Sequence, residues 1–399
     1  LVVLGLLAII AGIFNVYYAA KIAQGITSDL REETYAKIQS FSFGNIEKFS
    51  SGSLVVRLIN DMNQVMNMMM ILFMQLLRMP IILLGSFVLS IVTIPHYWWA
   101  PVLMLALMIG VGLVVIQNMN QLFAKFQKYM DKISTQVKEN LQGVRVVKSF
   151  NQGENEIRRF NKTSDDLNEL NIKIGYWIST IMPAFMLIAY LVIALVVFLV
   201  GRSANLNPSD VAVVSPYVSY ILTLLFAILI GGFVIMNFTR GMVSLRRIKE
   251  VLDTEPDVQF VSNASAAPKK GSIEFDNVSF TYPDGDKPTL KNISFKVKPG
   301  EMVGIVGATG SGKSTLAQLI PRLYDPTKGT IKIGGKDLKT IGEKALRNTV
   351  SMVLQKAILF SGTIASNLRQ GKEDATDYEL KRASEIAQAQ EFVGQYPDE

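Results

Sequence analysis

Five apolar stretches, each close to the length a bilayer demands, fall within the first 245 residues: 1–20, 66–94, 101–117, 174–200 and 211–238. A helix needs about 20 residues to cross the hydrocarbon core. The third stretch is the shortest and continues into 118–121, and none has the form of a cleavable signal peptide. Hydrophobic residues make up 49% of the chain, against 18% charged. The mean hydropathy is +0.29, high for a soluble protein, and the charged residues gather after about residue 245. The pattern predicts a membrane part followed by a soluble part. There are no cysteines, which excludes disulfides, thiol chemistry and cysteine metal sites, and the single His96 cannot form a histidine cluster.

The connections alternate in charge. The first holds Lys21, Arg31, Lys37, Lys48 and Arg57, and the third holds ten Lys and Arg from Lys125 to Lys173. The segment 95–100 has none, the fourth connection has only Arg202, and the tail after Phe238 is basic again. Lys and Arg collect on the cytoplasmic side, so the first, third and last connections are cytoplasmic. The net charge of +7 is accounted for by those loops and does not call for nucleic acid. Tyr97, Trp98 and Trp99 fit an aromatic belt at the outer interface. This orientation puts Leu1 outside, in the middle of an apolar run, so a sixth span is expected upstream.

The two long cytoplasmic connections carry apolar residues at helical spacing over 28–42 and 122–141. They read as membrane helices that run on into the cytoplasm and reach turns at 44–52 and 142–153, well placed to carry motion from a soluble domain. Arg78 lies near the cytoplasmic end of its span and reads as snorkelling to the interface. Met62, Met66, Met68, Met69, Met70 and Met74 suit a site that adapts to ligands of different shape, but the reading taken is ordinary packing. Pro183 falls inside the fourth span.

One short motif fixes the chemistry of the soluble part. Gly307-Ala308-Thr309-Gly310-Ser311-Gly312-Lys313-Ser314-Thr315 fits G-x-x-x-x-G-K-[ST]. The residues before it, 301–306, read as a short buried strand, and those after it, 316–320, as the opening of a helix. Glycines let successive N–H groups point at one anion, and a helix N-terminus favours negative charge. Lys313 suits the β- and γ-phosphates, and the Ser314 hydroxyl suits Mg²⁺. The implied ligands are ATP and Mg²⁺.

The polar segment 254–271 reads as a linker. Beyond it, short strands are predicted at 272–275, 278–282, 293–297, 330–333 and 350–354, with a short helix at 343–347. Turns are predicted at Pro283-Asp284-Gly285, Pro299-Gly300 and Gly334-Gly335. The expected fold is an all-α membrane bundle over 1–253, with five of six helices. It is followed over 272–399 by the first part of an α/β nucleotide-binding domain that opens with an antiparallel portion.

The order of these features, with Phe280-Thr281-Tyr282-Pro283 before the phosphate loop and Gln355 and Leu359-Phe360-Ser361-Gly362-Thr363-Ile364 after it, resembles an ABC exporter half. The resemblance covers essentially the whole chain. It implies that Tyr282 stacks on adenine, that Gln355 contacts Mg²⁺ and the attacking water, and that coupling helices lie at 45–53 and 142–150. It also implies a multi-pass protein of a bacterial cell membrane, its nucleotide-binding domain cytoplasmic, paired with a second half-transporter. Arg78-x-Pro80 and the run Asn367-Leu368-Arg369-Gln370-Gly371 are similar to heterodimeric multidrug exporters, which implies a hydrophobic small-molecule cargo; a homodimer and a lipid or peptide cargo are the alternatives. A nucleotide-sensing membrane protein that does not transport is a further alternative. The family places an Asp-Glu strand end, a Ser-Gly-Gly-Gln signature and a switch histidine downstream of this stretch, so no catalytic base is assigned.

Overall fold

The computed structural model describes residues 2–76, 78–202, 208–261, 271–283, 285–355 and 358–395. The chain forms two compact units, Leu1–Ser40 with Phe49–Glu255, and Phe41–Lys48 with Pro256–Glu399. Much of the predicted linker, the predicted turn residue Asp284 and part of the fourth connection lie outside the described residues.

The first unit is helical. In chain order it begins with α1 (Val2–Gln39), which leads to α2 (Phe43–Phe49), followed by α3 (Ser51–Val56) and a wider π-helical turn, Arg57–Asp61. Then come α4 (Met62–Gln75), α5 (Arg78–Thr93), a 3₁₀ turn at Pro95–Tyr97, α6 (Trp99–Gln142), α7 (Val144–Ser149), α8 (Gly153–Arg202), α9 (Pro208–Ala212) and α10 (Val214–Asp253). Five helical runs among the described residues are long and apolar enough to span a membrane, matching the five predicted stretches. The 50 residues of α8 extend for about 75 Å at 1.5 Å per residue, more than twice the ~30 Å hydrocarbon core. The first extension, predicted over 28–42, continues its span as helix as far as Gln39, and 122–141 does so throughout; the turns predicted beyond them hold the short helices α2 and α7. Pro183 sits inside α8, which runs on through it.

One face of α6, α8 and α10 packs through Met104, Met108, Phe185, Ala189, Val192, Ile221 and Leu224. Elsewhere α4 meets α10 through Met62, Val65, Met68 and Ile248, so the two buried methionines are packing residues. A side chain at Gly241 would place its Cβ 2.3 Å from the Met68 Cβ, so glycine allows the approach. A polar seam continues that contact. The buried Asp61 accepts from Ser244 Oγ at 2.7 Å, and Arg57 pairs with Glu250 at 2.9 Å. Arg78 opens α5 and is exposed.

The second unit is built on a four-stranded antiparallel sheet of order β2-β1-β3-β4: β1 (Ile273–Phe280), β2 (Leu290–Val297), β3 (Lys328–Ile333) and β4 (Lys336–Asp337). Two predicted strands, 272–275 and 278–282, are one strand with a bulge: the β1–β3 register shifts between Asp276 and Ser279, and Asn277 takes φ 51°. The helices are α11 (Lys313–Leu319), α12 (Glu343–Thr349), α13 (Ile364–Leu368), α14 (Asp377–Ile386) and α15 (Gln390–Val393).

The strands predicted at 301–306 and 350–354 are not formed. A strand exists only as one side of a hydrogen-bonded ladder, and neither segment has a strand beside it among the described residues. Met302, Val306 and Val353 are consequently 97%, 96% and 97% exposed. The continuous apolar run that marks a strand covered on both faces is present in the sequence, without the covering neighbours.

Helix α14 starts with a capping box: Thr376 Oγ1 accepts from Glu379 N, and Glu379 accepts from Thr376 N at 2.9 Å. The Lys372 ammonium, 2.6 Å from the Glu379 carboxylate, and then the two Thr376 donors hold that carboxyl down to about 2, against an ordinary value of 4.5. A depressed acid stabilises the fold above its unfolded value and loses that contribution as pH falls towards the folded one. Glu379→Gln should therefore lower the thermal midpoint at pH 7, and the gap to the parent should shrink as pH drops from 4.5 towards 2. Differential scanning fluorimetry across that window checks it; a gap independent of pH would rule out the ionic contribution.

Candidate nucleotide-binding site

The phosphate-loop motif folds as a loop that closes on its own lysine. Gly310 and Gly312 take φ 84° and 90°, backbone states that other residues adopt at a cost. Gly312 is doubly constrained, because a Cβ there would lie 2.8 Å from Leu290 Cδ2 and 3.2 Å from the Thr289 carbonyl. With the loop curled this way, Ser311 N donates to the Ala308 carbonyl. Lys313 Nζ donates to the carbonyls of Gly307 and Ala308, both at 2.8 Å. The ammonium thus caps a ring of backbone and presents a single positive charge at the mouth of the loop.

Adjacent hydroxyls in the motif face opposite ways. Ser314 is exposed, and no hydrogen bond engages its hydroxyl among the described residues. Thr315 is 5% exposed, and its Oγ1 lies 2.9 Å from the Tyr282 hydroxyl. Tyr282 also donates to Gln318 Oε1 at 3.2 Å, so two residues of α11 fix the ring beside the loop. The ring stays half-buried, edge-on to Phe280 and Tyr324 at 4.9 and 5.4 Å. The structure therefore brings Tyr282, Lys313 and Thr315 together. Gln355 is exposed in the irregular segment that replaces the second unformed strand, and no hydrogen bond ties it to the loop among the described residues.

The donors suited to Mg²⁺ are neutral oxygens, on Ser314 and Gln355. No group of three or more His, Cys, Asp or Glu is placed to hold a metal among the described residues. Mg²⁺ keeps waters and binds through few protein oxygens together with substrate phosphates. This donor set fits a Mg²⁺ ion that arrives with a nucleotide, not one held by the protein alone.

The expected coupling helix at 45–53 meets this site through α2, by contacts that no sequence motif specifies. Phe43 of α2 lies edge-on to Tyr324 at 6.4 Å. Buried Asn45 accepts from Ser42 N and Oγ and from Asp257 N, at 3.1, 2.6 and 3.0 Å. At Gly44 an added Cβ would meet Asp257 Oδ2 at 2.5 Å and Pro283, beside Tyr282, at 3.7 Å. Burial first, and then the Glu47 carboxylate, push the Tyr324 hydroxyl above its ordinary range. A continuous path therefore runs from Phe43 through Tyr324 and Tyr282 to Thr315, inside one compact unit. Tyr324 carries no motif of its own; Asn45 is marked only as the start of the expected coupling helix, without its partners.

Comparison with known proteins gives a consistent result. The model of the ABC transporter transmembrane region matches residues 1–239, and the ABC transporter domain model matches residues 290–399. An ABC transporter ATP-binding protein of Bacillus subtilis is 37% identical over 395 residues, 99% of this chain and 69% of its own length. An ATP-dependent lipid A-core flippase of Desulfotalea psychrophila is 29% identical over 95% of this chain and 66% of its own length. A solved bacterial Atm1-family ABC exporter with ATP bound shares the fold, with a TM-score of 0.71 and 24% identity over 94% of this chain and 66% of that one. The chain thus spans about two thirds of the length of the curated relatives it matches.

Proposed function

The chain belongs to the ABC transporter family, and from that premise we propose that it is one half of an ATP-driven exporter of hydrophobic or amphipathic compounds, of multidrug type. It is a multi-pass membrane protein with a cytoplasmic nucleotide-binding domain. That domain is the ATPase coupled to transport in this family.

In this reading the backbone of Gly307, Ala308, Thr309, Gly310, Ser311 and Gly312 cradles the phosphates, and Lys313 neutralises them. Ser314 and Gln355 serve Mg²⁺, which supplies charge neutralisation on the phosphate oxygens when bound. Tyr282 offers its open face to adenine. Thr315 acts through its hydroxyl on Tyr282, as a positioning residue. A second half-transporter, most simply a different chain, completes the composite site.

The observation that carries the reading is the packing of 41–48 into the nucleotide-binding unit. Residues next to Tyr282 touch the tip of a connection whose two ends are membrane-crossing helices. A nucleotide that binds one arrangement of that tip more tightly than another shifts the membrane part by that difference in affinity and by no more.

The test is ATP-dependent accumulation in inside-out vesicles carrying both halves, with a hydrophobic cationic dye and a short-chain fluorescent phospholipid as parallel cargoes. Dye accumulation that stops when ATP is replaced by a non-hydrolysable analogue supports the proposal. Movement of the phospholipid without the dye would make the chain a lipid exporter, as the flippase relative's name suggests. Movement of neither, with nucleotide still bound, would make it a sensor.

A further inference from the structure

The cytoplasmic ends of α6 and α8 enclose a groove of about 600 Å³ that the nucleotide site does not use. Lys125, Lys128 and Lys132 enter it from α6, and Asp166, Glu169 and Lys173 from α8. Glu169 is committed to Lys173, Nζ to Oε1 at 2.6 Å. That leaves three ammonium groups against the one carboxylate of Asp166. The Tyr129 ring forms part of the wall, 5.9 Å from Lys132 Nζ.

Depth selects what such a groove meets. The apolar run of α6 ends near Gln121, and that of α8 begins at Ile174. Lys173 is adjacent to that boundary, and Lys125 is about 6 Å beyond it at 1.5 Å per residue. The polar headgroup layer on each side of a bilayer is about 5–7 Å thick, so both lysines sit at the level of lipid phosphates. Lys128, about 10 Å beyond the boundary, can reach back to the same layer through its stem, while Lys132, about 16 Å beyond it, adds positive charge at the cytoplasmic end of the groove. On the membrane side the groove ends at an apolar seam between the same two helices, Val115, Met119 and Ile174 with Phe126 and Trp177 against them. The seam is closed by its own side chains, so the groove itself offers a cationic recess that begins at the membrane interface and suits a headgroup alone.

We propose that this groove binds the phosphate headgroup of an anionic phospholipid of the inner leaflet, held as a resident ligand and not as cargo. Each juxtamembrane lysine contributes roughly fivefold to binding an anionic lipid surface, and Asp166 takes back part of that.

The test offers the intact transporter, purified in mild detergent, an equimolar mixture of phosphatidylglycerol and phosphatidylcholine, and counts retained lipids by native mass spectrometry. Phosphatidylglycerol should be preferred by about tenfold or more, and excess inorganic phosphate should not displace it. Lys125→Gln/Lys128→Gln/Lys132→Gln should bring the two lipids within about twofold of each other. Asp166→Asn, which removes the opposing charge, should raise phosphatidylglycerol retention. Equal retention of both lipids by the parent protein overturns the proposal. So does an undiminished preference in the triple variant, or displacement by inorganic phosphate alone, which would mark a free-anion site. Should the triple variant fail to elute as a folded protein, Asp166→Asn decides, and retention that is unchanged or lower refutes the site.

Discussion

Lys313→Ala should reduce ATP hydrolysis by the assembled transporter by at least about a hundredfold, the scale on which losing one preorganised charge-stabilising donor is felt. The basis is geometric. The ammonium is held at 2.8 Å from the carbonyls of both Gly307 and Ala308, so its charge is fixed at the mouth of the loop before any nucleotide arrives. Alanine removes that charge and leaves two carbonyl oxygens facing the space where phosphate oxygens would lie. Those carbonyls then repel what the lysine attracted, so binding as well as turnover should weaken. Titration with a fluorescent ATP analogue should show the dissociation constant rising by about tenfold or more, since a hydrogen bond to a charged group contributes about 1.5–3 kcal/mol. Ser311→Ala is the contrast. The Ser311 side chain adds no charge, and its backbone N–H to Ala308 survives the change, so binding should stay within about threefold of the parent by the same scale. Unchanged binding in Lys313→Ala would remove the loop from the nucleotide site.

What the sequence makes legible follows from how local each signal is. Membrane spans are set by runs of single-residue hydropathy, and all five appear where the apolar residues gather. The phosphate loop is equally local, since Gly310 and Gly312 carry their backbone states with them. Strands depend on partners far along the chain. The apolar runs at 301–306 and 350–354 resemble covered strands, yet they form none among the described residues, because a ladder needs a second backbone that no local pattern supplies. The coupling helix at 45–53, Tyr282 and Thr315 are legible one by one, but the path that joins them is not, for a related reason. Tyr324 is one tyrosine among thirteen, and only the fold sets it between Phe43 and Tyr282. The opposite facing of Ser314 and Thr315 belongs to the same class, since helix α11 assigns neighbouring residues to different sides and the motif does not say which side meets Tyr282.

Gly329→Ala should be the most destabilising single-methyl substitution in the nucleotide-binding unit, costing about 2–4 kcal/mol. Gly329 takes φ 82°, and a left-handed backbone costs an ordinary residue about 1–2 kcal/mol. The remainder comes from the bulge in β1. The shift between Asp276 and Ser279 turns two carbonyls towards β3, and an alanine Cβ would lie 2.5 Å from the Asp276 oxygen and 2.4 Å from that of Asn277. Both obstacles are backbone, so no rotamer change relieves them. The strands must separate locally, with the loss of one or two ladder hydrogen bonds at about 1 kcal/mol each. Gly335→Ala provides the control within the same sheet. Gly335 has φ 78°, and nothing lies within 4 Å of an added Cβ, so only the conformational cost of about 1–2 kcal/mol applies. Thermal unfolding of the two variants, followed by the fluorescence of a bound ATP analogue, should show a drop for Gly329→Ala at least about twice that for Gly335→Ala. Equal drops would mean that the left-handed backbone alone sets the cost, and that the bulged carbonyls yield to a methyl group. In that case the bulged part of β1 would be locally compliant, and Tyr282, two residues past the end of β1, would be held beside the phosphate loop by its α11 hydrogen bonds and not by the strand.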